Sequence, residues 1–303
     1  MAVTAAMVKE LREMTGAGMM DCKKALVETD GDTEKAIEVL REKGLAKAAK
    51  KADRVAAMGL VKIAFAEDGT RAGIVEVNSE TDFVAKNDEF VEFVNNLAAM
   101  AKDTDVTEMD AFMALPYGEG TVQDELTAKI SKIGENMNVR RFATFAEEGV
   151  KYVGYIHGGG SIGVIVGLKT DASVEEVTVC GKDVAMQVAS MNPKFLDETQ
   201  VDQDWLEKEK EIAEQQLLNE GKPEKMLERI IPGKMKAILK EVCLVDQKFV
   251  KNGDLTVAQY VESVAKEIGK DIQVVSMVRF EVGEGIEKKE ENFAEEVAKQ
   301  MAQ

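Results

Sequence analysis

Apolar residues recur at helical spacing near the start of the chain. Val8 and Leu11 fall on one face of a first helix, Thr15-Gly16-Ala17-Gly18 breaks it, and Met19 to Thr29 restores the spacing. Gly31-Asp32-Thr33 then offers a turn and cap for a third helix, with Ile37 and Leu40 on its apolar face and Gly44 as its stop. Residues 1–46 therefore predict a three-helix domain, too small to be more than marginal alone. Residues 47–57, where Lys47, Lys50, Lys51 and Arg54 sit among alanines, read as a solvated basic linker.

From Gly59 the period shortens. Leu60 to Phe65 and Ala72 to Val77 are strand-like runs joined by the turn signal Glu67-Asp68-Gly69-Thr70. A helix follows over 87–102, its apolar face formed by Phe90, Val91, Val94, Leu97 and Ala98. Another helix over 124–133 and a strand over 138–145 complete a unit spanning 58–145. Two further strands, Tyr152 to Ile156 and Ile162 to Val166, precede a helix over 174–190. Strand, strand and helix thus occur twice, which suggests a duplicated α+β unit with antiparallel sheets.

Between 201 and 241 the pattern is wholly helical. Gly221-Lys222-Pro223 divides it into a helical hairpin whose second arm Pro232-Gly233 is expected to interrupt. The α+β pattern resumes over 242–283, so its second half comprises 146–200 and 242–283, with the hairpin inserted. A helix over 286–302, carrying Phe293 and Val297 as an apolar pair, is expected to close the chain within 284–303.

Composition narrows the function. The 303 residues carry a net charge of −17, which disfavours a direct nucleic-acid surface and favours a protein partner. Three dispersed cysteines suit neither a disulfide framework nor a zinc site. With no long apolar run and no signal-peptide pattern at the start, a soluble cytoplasmic protein is expected.

Little in the chain points to catalysis. His157 is the single histidine, so a two-histidine metal site and a histidine relay are excluded. Gly158-Gly159-Gly160-Ser161-Ile162-Gly163 matches a dinucleotide-binding pattern, but a β-branched run follows it where that pattern needs a helix; a hairpin loop fits better. No nucleoside-triphosphate loop occurs, and neither cofactor nor metal is expected. A nucleotide-dependent oxidoreductase built on the glycine loop is the enzyme alternative; a scaffold binding through the amino-terminal helices is the non-enzyme one.

One segment has the character of a tool. Thr81-Asp82-Phe83-Val84 lies between the strand ending at Asn78 and the helix beginning near Asn87, with Ser79 or Thr81 available as a cap. An aromatic ring beside a carboxylate suits a wedge aimed at a partner's pocket. The competing reading is a capped helix start with Phe83 stapled into the core.

The run from Leu11 to Leu26 (LREMTGAGMMDCKKAL) resembles the amino-terminal signature of the elongation factor Ts family, and Glu76 to Lys86 (EVNSETDFVAK) resembles its second signature. Lys132 to Arg141, His157-Gly158 and Arg279 to Lys288 continue the likeness in order, so it covers nearly the whole chain. The resemblance implies a ubiquitin-associated-like amino-terminal domain, a two-part pseudo-symmetric α+β core, an inserted helical hairpin and a terminal helix. It also implies guanine-nucleotide exchange on elongation factor Tu without covalent chemistry. In the family, the position matching Phe83 enters the GTPase near its magnesium site with Asp82 beside it, GDP leaves, and GTP then displaces the factor. Thr81 and Val84 complete that motif; Arg12, Met19, Met20 and His157 match further contacts with the same partner. The glycine loop after His157 is a residue longer than the commonest family form. The hairpin is the family's variable part and mediates self-association in some members.

Overall fold

The computed structural model describes residues 3–15 and 17–287. Three helices come first: α1 (Ala5–Thr15), α2 (Met19–Glu28) and α3 (Thr33–Ala49), closing on Val8, Leu11, Cys22, Ala25, Leu26 and Ala36. Asp32 caps α3 as its position predicts, accepting from Lys35 N at 3.1 Å. Gly44 does not stop that helix. It is buried in α3 against α7, where an added Cβ would lie 3.8 Å from Thr127 Cγ2. The basic stretch therefore begins inside the helix, and two of its charges have structural partners: Lys47 pairs with Asp21 at 2.8 Å, and Lys51 donates to Ile130 O at 3.3 Å.

The next elements are β1 (Met58–Phe65), β2 (Ala72–Ser79), α4 (Asp82–Ala85), α5 (Asp88–Asp103), α6 (Met109–Met113), the short pair β3 (Pro116–Tyr117) and β4 (Gly120–Thr121), α7 (Val122–Ile133) and β5 (Met137–Phe145). After them come β6 (Val150–His157), β7 (Ile162–Lys169) and α8 (Val174–Met191). The hairpin arms are α9 (Gln203–Asn219) and α10 (Glu224–Val242), followed by β8 (Lys248–Phe249), β9 (Asn252–Thr256), α11 (Val257–Ile268) and β10 (Gln273–Glu281). Contrary to expectation, α10 runs unbroken through Pro232, and Ile231 packs against Ala213 and Leu217 of α9. The two-arm packing holds the helix although Pro232 supplies no backbone donor. Of the expected terminal helix, Ile286 and Glu287 are not helical, and the rest, with Phe293 and Val297, lies outside the described residues.

Two antiparallel three-stranded sheets, β1-β2-β5 and β6-β7-β10, form the centre of an α+β fold. Their middle strands are buried on both faces. On β2, Val75 and Val77 join Phe90, Val94 and Leu97 of α5, while Ala72 and Ile74 meet Ile165 of β7 and Tyr152 of β6. On β7, Val164, Val166 and Leu168 pack on Val177, Val184 and Val188 of α8. The result is four layers, helices outside and sheets inside, which explains apolar runs in place of simple alternation. Gly73 allows the closest helix approach: a Cβ there would come within 2.2 Å of Lys102 N. Backbone bonds also stitch the sheets together, with Tyr152 N donating to Gly69 O at 2.7 Å and Val61 N to Gly160 O at 2.8 Å.

Between the sheets, Glu76 is fully buried. Its carboxylate accepts from Asn78 Nδ2 (3.0 Å), Gly283 N (2.8 Å), Arg140 Nη1 (3.1 Å) and Arg141 Nε (2.6 Å). Two consecutive strand residues normally point to opposite faces. Here β5 bulges, since Glu76 pairs with Arg141 and Val77 with Val139, leaving Arg140 as the extra residue that lets both guanidiniums reach one carboxylate. Gly283 can approach only because it lacks a side chain: its φ is +70°, and a Cβ would meet Ala57 O at 2.2 Å.

Burial opposes ionisation of Glu76, but the Gly283 amide, Asn78 and Arg141 outweigh it and hold its pKa below the ordinary carboxylate value. A depressed folded-state pKa contributes stability that is complete above the unfolded value and lost as pH falls through the folded one. Glu76→Gln should cost about 2–3 kcal/mol at neutral pH, less than a fully dry ion pair because both guanidiniums reach solvent. Denaturant unfolding of wild type and variant should show that gap narrowing as the medium is acidified below the usual carboxylate range.

Candidate functional site

Strand β2 runs directly into the site. Beyond Ser79 the chain turns through Glu80 and Thr81 into α4, a single turn containing Asp82, Phe83 and Val84. Four residues cannot sustain a helix by themselves. The turn is held from outside: Thr81 donates its N–H to Glu135 Oε2 at 3.0 Å and its hydroxyl to Glu135 Oε1 at 2.6 Å, and Ser79 Oγ donates to Thr81 O at 3.0 Å. The expected capping role is therefore corrected. Thr81 occupies the N-cap position of α4 without making a side-chain cap bond, and the following helix α5 is capped by Asn87, whose Oδ1 accepts from Glu89 N and Phe90 N.

Within α4 adjacent side chains diverge. Val84 is buried in the core with Val77 and Phe90, whereas Phe83 is 79% exposed. The stapled-core reading of Phe83 is thereby excluded. Asp82 is exposed and accepts from Lys86 Nζ at 2.7 Å; that bond, with the attraction of the same ammonium, lowers its pKa. It remains ionised and accessible beside the ring.

The other residues singled out by sequence are placed as follows. Arg12 is exposed on α1. Met19 and Met20 open α2 with 54% and 62% exposure, so neither is used in packing the three helices. His157 ends β6, exposed, with Nδ1 3.0 Å from the Tyr155 hydroxyl. The glycine motif after it is the β6–β7 turn, where Ser161 N and Gly160 N both bond to His157 O. A strand rather than a helix follows, as the sequence predicted, so the turn is no pyrophosphate cradle.

Nucleophilic groups are no better placed. Cys22, Cys180 and Cys243 are buried, and burial pushes the Cys180 thiol to about 12 and the Cys243 thiol to about 11, away from the reactive thiolate. Among the described residues no group of three or more His, Cys, Asp or Glu is arranged to hold a metal ion, and no helix is long and apolar enough to cross a membrane. Sequence reading missed Glu135 and the Glu76 cluster. A lone glutamate inside a β-branched strand was the available signal for Glu76; Glu135 carried none, because its partner is 54 residues away.

Comparison with known proteins identifies the family. The family model described as "Elongation factor TS" matches residues 80–284. The chain is 57% identical over 300 residues to elongation factor Ts of Clostridioides difficile (strain 630), covering 99% of both chains. It is 57% identical over 302 residues to that of Clostridium tetani (strain Massachusetts / E88), again covering 99% of each. Identity to elongation factor Ts of Clostridium novyi (strain NT) is 56% over 304 residues, with the same coverage. With likeness of this degree along its whole length, the chain belongs to the elongation factor Ts family of translation elongation proteins.

Proposed function

We propose that this chain is a guanine-nucleotide exchange factor for elongation factor Tu and that Phe83 is its wedge. The observation that carries the reading is the exposed Phe83 ring on a turn fixed on both sides, by Glu135 at Thr81 and by the core at Val84. Leaving a Phe side chain in water forgoes roughly 1.5–3 kcal/mol of burial. A pocket in the GTPase would recover it. Asp82, ionised beside the ring, would then disturb the partner's Mg²⁺ and phosphate contacts. By reciprocal coupling, binding that favours the opened GTPase weakens its hold on GDP by the same factor, so no covalent step is needed. GTP rebinding would release the factor, and the cytoplasm is where this exchange would take place.

Arg12, Met19 and Met20 would form a second contact, with the two exposed methionines as adaptable apolar anchors. His157 would form a third. In this reading the ubiquitin-associated-like helices of 1–46 dock, and the α+β unit 58–145 carries the wedge. The related half, 146–200 with 242–283, supports His157. The inserted hairpin 201–241 exposes Ile212, Leu218 and Met226, and would be the surface for any self-association.

Phe83→Ala should slow GDP release from elongation factor Tu by roughly 30-fold, equivalent to about 2 kcal/mol, while leaving thermal stability unchanged or raised. A chase of fluorescent GDP measures the rate. Release at the wild-type rate would sink the assignment, as would a wild-type protein that binds the partner without accelerating release, which is how a scaffold behaves. Replacing Met19 and Met20 together by Ala should raise the concentration for half-maximal exchange by roughly fivefold (~1 kcal/mol) with little change in the rate at saturation, measured in the same titration.

A further inference from the structure

We infer that Glu135 is a positioning residue that aims Phe83, an inference that rests on the exchange reading above. Both of its carboxylate oxygens are spent on Thr81, the residue from which α4 starts. The neighbouring residues, Glu80 before Thr81 and Asn136 after Glu135, repeat the arrangement in reverse: Glu80 Oε1 accepts from Asn136 N at 2.5 Å. Residues 80–81 and 135–136 are thus cross-linked by two carboxylates pointing in opposite directions. Asn136 extends the frame, its Nδ2 donating to Arg54 O at 2.8 Å and to Ala52 O at 3.4 Å.

The position of Glu135 follows from the end of α7. Gly134 closes that helix at φ 92°, a left-handed conformation that turns the chain back toward β2 and delivers Glu135 to Thr81. Without the clamp, α4 would be a four-residue turn with no side-chain cap, anchored only by the Ser79 hydroxyl at Thr81 O and by Val84 in the core. Phe83 would keep its exposure but lose its fixed direction. A wedge that must be ordered on binding transfers less of its interaction to the opened partner than one already in place. Glu135 is half-buried and its donors lie near solvent, so water can take its place in the free protein. Its effect should therefore fall on exchange more than on folding.

The test is GDP release from elongation factor Tu at saturating concentrations of wild type, Glu135→Ala, Glu135→Gln, Phe83→Ala and the Phe83→Ala/Glu135→Ala double variant, with melting temperatures recorded for each. Glu135→Ala should lower the saturating release rate roughly threefold to tenfold, the range for losing about one ordinary hydrogen bond, because water takes over part of what the carboxylate held. Glu135→Gln, which retains one acceptor oxygen, should recover part of that loss. In the Phe83→Ala background Glu135→Ala should have no further effect, since there is no ring left to aim. Thr81→Val, removing the hydroxyl from the other side, should reproduce the Glu135→Ala effect if that variant proves unstable. Wild-type release by Glu135→Ala beside a slow Phe83→Ala overturns the inference alone, as does equal slowing by Glu135→Ala in both backgrounds. Wild-type release by Phe83→Ala overturns the exchange reading itself.

Discussion

The structure depends on a buried carboxylate that must be satisfied. Glu76 lies between the two sheets at a point where an unpaired charge would be untenable, and four donors converge on it from three places: its own strand, strand β5, and the turn after β10. Each donor required something of the backbone. Strand β5 bulges so that Arg140 and Arg141 reach the same group, and Gly283 lacks a side chain so that its N–H can approach. Arg141 then stacks on Phe280 at 4.3 Å and bonds to Glu281 O and Glu284, tying the end of the second sheet to the centre of the first. Hydrophobic contact alone would let the sheets slide; a carboxylate with directional partners fixes their relative position.

That constraint lies on the strand that leads to the proposed wedge. From Glu76 the chain continues through Asn78, whose side chain bonds to Met58 O on β1, and Ser79, whose hydroxyl holds Thr81 O. Thr81 is gripped by Glu135, and Val84 enters the core of α5. Between these anchors Phe83 is the one side chain of the turn left with neither a polar partner nor a place in the core. In the proposed exchange reading, it is this frame of anchors around the exposed ring that would give the ring its direction. The amino-terminal helices and the turn after them are tied to the same frame: Arg41 of α3 bonds to Asp124 at 2.5 Å and Lys51 beyond it to Ile130 O, both on α7, the helix that ends beside Glu135.

Much of this was legible in the sequence. The helical periods of α1, α2, α5, α8 and α11, the turns at Gly69 and Gly221, and the exclusion of a dinucleotide loop after His157 rest on local spacing and local backbone preference, which neighbours elsewhere seldom overturn. The Thr81–Val84 segment could be found because it breaks the pattern between a strand and a helix. Local signals failed where a distant surface took over: Gly44 reads as a helix stop but is a contact with α7, and Pro232 reads as an interruption but lies in a helix held by its hairpin partner. The sequence by itself thus determined the long helices and most of the long strands, the family and the place where an aromatic meets a carboxylate. Only the tertiary structure decided that Phe83 faces water, that Thr81 is clamped rather than capping, and that Glu76 joins the two sheets. Those outcomes depend on partners between 54 and 207 residues away, a separation over which no periodicity carries information.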